Sequence, residues 1–93
     1  MKVRYSPQAR DDLQGILNYL NERSPTGAEN VMRAIYASIQ FLAENPAASQ
    51  ETDHQDVRIK VVRRYNFKIF YRIDRDAIDL IHVRHTARRP FGL

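Results

Sequence analysis

Three strand-like runs follow one another from Val57 to His85 with only short turns between them, and this fixes much of the fold. The runs are Val-Arg-Ile-Lys-Val-Val at 57–62, Phe-Lys-Ile-Phe-Tyr-Arg-Ile-Asp at 67–74 and a more apolar stretch at 78–85. Alternation of period two marks strands, and short connections demand antiparallel neighbours. Asp74-Arg75-Asp76-Ala77 reads as a hairpin turn. With Arg75 and Asp76 at its centre, Ile73 faces Ile78, Arg72 faces Asp79, Phe70 faces Ile81 and Lys68 faces Val83. Facing residues share a side of the sheet. One side is then expected to carry Ile69, Tyr71, Ile73, Ile78, Leu80 and His82. The other is expected to carry Lys68, Phe70, Arg72, Asp79, Ile81, Val83 and His85.

The first half supplies the layer that such a sheet needs. Lys2 to Tyr5 is a short strand candidate. Ser6-Pro7 and Ser24-Pro25 are two helix starts, because serine caps the open amides and proline suits the first helical position. Ala9, Leu13, Ile16, Leu17 and Leu20 form one apolar stripe, expected over about residues 7–22. Ala28, Val31, Met32, Ile35, Ile39 and Leu42 form a second, stopped at Asn45-Pro46. Met32 and Tyr36, at helical spacing, read as core packing rather than as a ligand pocket. The polar stretch from Pro46 to Asp56 has no period and reads as a loop. The order is β-α-α-β-β-β, a two-layer α+β domain with a helical hairpin on one face of a mostly antiparallel sheet.

The odd residues of the first two meander strands are the more apolar, so Val57, Ile59, Val61, Ile69, Tyr71 and Ile73 are assigned to the helices. The opposite face then gathers Arg58, Lys60, Lys68, Arg72 and His85 around Phe70, Ile81 and Val83. His82 reads as a hydrogen-bonded core histidine. Arg63, Arg64 and Arg75 read as solvated charge at turns. A length of 93 residues suits a single domain, 1–93. Net charge is +4 and the sequence pI about 9.8, which favours an anionic partner, nucleic acid or acidic protein. The absence of cysteine excludes disulfides and Cys-based zinc sites. His54, with Asp53 and Asp56 nearby, lacks a third ligand at motif spacing, so no metal and no cofactor are expected. No apolar run is long enough to span a membrane and no signal-peptide pattern opens the chain, so a cytoplasmic protein is expected.

Three segments, in this order, resemble the RelE/ParE toxin superfamily. Ala-Arg-Asp-Asp-Leu-Gln-Gly-Ile-Leu-Asn-Tyr at 9–19 is similar to the first helix of ParE toxins. Phe-Lys-Ile-Phe-Tyr-Arg-Ile-Asp at 67–74 and Ile-His-Val-Arg-His-Thr-Ala-Arg-Arg-Pro at 81–90 are similar to the middle and closing strands of the superfamily. The resemblance implies the toxin of a type II toxin–antitoxin module, of the kind associated with plasmid stabilization, neutralised by a cognate, ParD-like antitoxin. It implies one of two activities. ParE-like toxins bind and block DNA gyrase, while RelE-like toxins cleave mRNA on the ribosome.

RNA cleavage needs a base, an acid and cations at one phosphate. Under the RelE-like reading the candidates are Arg58, Lys60, Lys68, His85 and Arg88. The tail tyrosine of that pattern is missing, and Phe91 stands near its place. Under the ParE-like reading, target or antitoxin contacts are expected from Phe70, Arg72, Ile81, Val83, His85, Arg88 and Arg89. The missing tyrosine favours gyrase inhibition, with the endoribonuclease as the alternative. A non-catalytic nucleic-acid-binding module is the third class, disfavoured by the lack of a base-reading helix.

Overall fold

A computed structural model describes residues 1–52 and 56–86. The elements are β1 (Lys2–Tyr5), α1 (Pro7–Asn21), α2 (Pro25–Glu44), β2 (Gln50–Glu51), β3 (Arg58–Val62), β4 (Phe67–Asp74) and β5 (Ala77–His85), with a 3-10 turn at Arg63–Tyr65. The sheet order is β1-β5-β4-β3-β2. Neighbours run antiparallel except β1, which lies parallel to β5 with Val3 beside Ile78 and Tyr5 beside Leu80. No helix among the described residues is long and apolar enough to cross a membrane.

Both helices start as the Ser-Pro signals require. Ser6 Oγ accepts from Ala9 N at 3.0 Å and Ser24 Oγ from Gly27 N at 3.1 Å. The stripes then bury Ala9, Leu13 and Ile16 of α1, and Val31, Ile35, Ile39 and Leu42 of α2, against the sheet. From the sheet come Phe67, Ile69, Tyr71, Ile78, Leu80 and Val83. Tyr71 is wholly buried, and its hydroxyl donates to Pro46 O at 2.6 Å and meets Ser49 Oγ. Met32 packs against this core, but Tyr36 does not; it is 44% exposed at the edge of a hollow it shares with Tyr5 and Arg10.

The segment expected to be a plain loop after Pro46 contains β2, which pairs with β3 through Gln50 and Ile59. Arg58 reaches across to hold it. Its guanidinium donates to Ser49 Oγ at 3.0 Å, Ala47 O at 2.9 Å and Glu51 Oε1 at 3.0 Å.

Two phases of side-chain alternation differ from expectation. The β4–β5 hairpin keeps the expected register from Asp74 opposite Ala77 to Arg72 opposite Asp79. Beyond Leu80 opposite Tyr71 a bulge admits Ile81 as an extra residue, and Phe70 then faces His82, Ile69 faces Val83 and Phe67 faces His85. A bulge inverts the in–out pattern of everything after it. Val83 and His85 therefore turn to the helical side and His82 to the open side, the reverse of the expected arrangement. The physical cause lies at the end of β1, where Ser6 N donates to Leu80 O at 3.0 Å and Ser6 Oγ to Ile81 O at 3.0 Å. The helix start hooks the β5 backbone just where it bulges.

In β3 the phase is also inverted. Arg58 faces Tyr71, Lys60 faces Ile69 and Val62 faces Phe67, so these three lie on the helical side. Ile59 faces Phe70 and Val61 faces Lys68 on the open side. Val62, only 6% exposed, anchors this choice. Lys60 lays its aliphatic stem along the core rim, its Nζ 4.9 Å from the Phe41 ring centre, while Arg58 turns its guanidinium onto the segment at β2.

Leu80→Ala is expected to lower stability by about 3 kcal/mol, as large-to-small changes at fully buried sites do. Ile73→Ala, at a position 36% exposed, is expected to cost roughly 1 kcal/mol or less. Urea unfolding of the two variants measures both.

Candidate functional site

The open face is built from alternate residues of β3, β4 and β5. Ile59 and Phe70, joined by Val57 and Ile81, form an apolar floor. Thr52, Arg72, His82 and Arg84 stand around it and enclose a depression of about 370 Å³. Lys68 is the cross-strand neighbour of Arg84. Among the described residues neither Lys68 nor Arg84 has an ion-pair partner. At the turn end of the same face, Arg4 donates to Asp79 Oδ2 at 3.1 Å and Asp74 Oδ2 at 2.9 Å. The hydrogen bond donated to Asp79, then that donated to Asp74, raises the Arg4 pKa above its ordinary value. On the helical side burial pushes the Tyr5 phenol up, with Tyr36 adding to it.

His82 is the one histidine of β5 on this face, and its orientation is fixed from behind. Its Nδ1 lies 3.3 Å from Asp12 Oδ2. The same carboxylate oxygen accepts the Val83 amide at 3.0 Å, and Oδ1 accepts Gln8 Nε2 at 2.8 Å. Asp12 is 9% exposed. An ionised carboxylate only accepts, so Nδ1 carries the proton of a neutral His82 and Nε2 is left as the acceptor. The ring stands edge-on to Phe70 with centres 6.4 Å apart.

The expected site residues divide. Lys68, Phe70, Arg72 and Ile81 lie on the open face, as the alternation suggests. Arg58 and Lys60 do not join them: Arg58 clasps the segment at β2 and Lys60 covers Phe41. Val83 is wholly buried in the core. His85 meets Phe67 edge-on at 5.1 Å beside Leu20 on the helical side. Arg88, Arg89, Phe91 and His54 lie outside the described residues.

Sequence reasoning missed His82, Arg84 and Asp12 as a group. Asp12 does leave a signal, since it stands three residues after Ala9 and four before Ile16, inside the apolar stripe of α1. An acid in such a stripe needs a buried partner. Asp11, beside it, is exposed.

The family model described as the ParE toxin of the parDE type II toxin–antitoxin system matches residues 3–90. A comparison with curated proteins returned no match. Among solved structures, the chain is similar to one from the chromosomal ParDE toxin–antitoxin system of P. aeruginosa. That match has a TM-score of 0.79 at 20% identity and covers 92% of this chain and 96% of the other. It is also similar to a chain of the RelBE2 toxin–antitoxin complex of Mycobacterium tuberculosis. There the TM-score is 0.60 at 20% identity, covering 94% of this chain and 92% of the other.

Asp12→Ala leaves the buried Val83 amide without its acceptor. It is expected to cost about 1–3 kcal/mol and to speed hydrogen exchange at Val83. Asp11→Ala is expected to stay within about 0.5 kcal/mol. Exchange and denaturation of the two variants, side by side, check this.

Proposed function

The chain belongs to the ParE toxin family of type II toxin–antitoxin systems, and we propose that it acts by binding DNA gyrase and blocking it, neutralised by a cognate ParD-like antitoxin. One observation carries the choice of target. The groups that RNA cleavage would need are divided between the two faces of the sheet. Arg58 spends its guanidinium on Ala47, Ser49 and Glu51. Lys60 lies over Phe41, and His85 lies against Phe67 on the helical side. Acid–base cleavage requires base, acid and cations within reach of the same phosphodiester. A binding protein needs only a surface that fits, and the open face supplies an apolar floor with cations at its edge. The likeness in fold to chains of two toxin–antitoxin systems supports an antitoxin partner.

A supercoiling assay run beside a ribosome-dependent mRNA cleavage assay tests the reading. The expected outcome is inhibition of gyrase supercoiling without mRNA cleavage. Cleavage by purified protein, with gyrase unaffected, reverses the choice in favour of the endoribonuclease.

A further inference from the structure

We propose that the depression on the open face is the surface that docks the protein target. Its occupant is a segment of the target presenting a large apolar side chain beside a carboxylate, with a hydrogen-bond donor of the same segment meeting Nε2 of His82, which Asp12 holds in place. The proposal rests on the gyrase-binding reading and assigns that binding to particular residues.

A volume of about 370 Å³ over Ile59, Phe70 and Ile81 has room for one or two side chains of a partner. Exposed apolar floors of this kind mark contact sites. Arg84 lines it and Lys68 is the cross-strand neighbour of Arg84; neither has an ion-pair partner among the described residues, so an arriving carboxylate gains a charge-assisted contact. His82 is preorganised, because Asp12 Oδ2 fixes its Nδ1 side at 3.3 Å and Phe70 stands edge-on to the ring. A side chain already held in place loses little freedom on binding. The larger hollow on the helical side, about 440 Å³ near Arg10, Met32 and Tyr36, has a single cation and no such oriented group.

The same face disfavours a nucleic-acid strand. Polyanion binding draws on a run of phosphate contacts. Here the positive stripe is interrupted by Asp74 and Asp79, two carboxylates that share the single charge of Arg4, and the floor is aliphatic and aromatic. One carboxylate fits this arrangement better than several phosphates.

The test is direct binding of purified DNA gyrase to the chain and five variants. Arg84→Glu and Lys68→Glu reverse the charge of the border, and each is expected to weaken binding at least tenfold. His82→Gln is expected to weaken it severalfold, and Arg33→Glu on the far surface of α2 to leave it within twofold. Asp12→Asn adds a readout that a merely structural role would not move. In the free wild-type chain, at a pH where the ring is neutral, the ¹⁵N shifts of His82 should show the Nδ1–H tautomer. In the variant they should show mixed tautomers, and binding should fall as in His82→Gln. Circular dichroism confirms that each variant is folded. If the wild type does not bind gyrase, the functional reading fails and the proposal with it. If it binds while Arg84→Glu and Lys68→Glu stay within twofold, the docking surface is overturned and the reading stands. Displacement of gyrase by a single-stranded oligothymidylate that binds more tightly in a Lys68- and Arg84-dependent way also overturns the peptide assignment.

Discussion

The carboxylate of Asp12 joins the helical layer to the sheet at the point where ordinary strand pairing stops. β1 covers only the first half of β5, and past Leu80 the outer edge of β5 has no neighbouring strand among the described residues. Unpaired edge amides in a buried place are costly. Ser6 and Asp12 take over, the hydroxyl donating to Ile81 O and the carboxylate accepting from Val83 N. This substitution of helix side chains for a strand coincides with the bulge at Ile81. It also decides which way every later residue of β5 points. His82 reaches the open face and the buried acid behind it from this one arrangement.

Much of the architecture was legible in the chain. Ser6-Pro7 and Ser24-Pro25 announced the two helices, and Asn45-Pro46 the end of the second. The turn at Arg75 and Asp76 set the hairpin register as far as Arg72 and Asp79. What was not legible was the phase of two strands. Val61-Val62 and Leu80-Ile81 are adjacent apolar pairs, at which alternation does not say which member points inward. In β3 the tie is broken by Val62 meeting Phe67, in β5 by Ser6 and Asp12. The first depends on the register of the β3–β4 connection and the second on a distant part of the chain, and local alternation encodes neither. The candidate site inherited the error: Arg58, Lys60, Val83 and His85 were assigned to the wrong face, while Phe70, Arg72 and Ile81 were not.

The corrected faces separate structural cations from those open to a partner. Arg58 and Lys60 finish the core rim and the segment at β2. Lys68 and Arg84, with His82, remain beside the apolar floor. The ParE family tie accounts for the fold and for the toxin class. The division of cations is what turns the reading from chemistry on RNA to recognition of a protein.

Everything said of the open face depends on the side to which His82 points, and nuclear Overhauser contacts of the two β5 imidazoles measure that directly. The account requires the His82 ring to contact Phe70, and the His85 ring to contact Phe67 and Leu20. Contacts from the His82 ring to Leu20 or Ile16, with His85 beside Phe70, would mean that β5 runs without the bulge and that the site described has no basis.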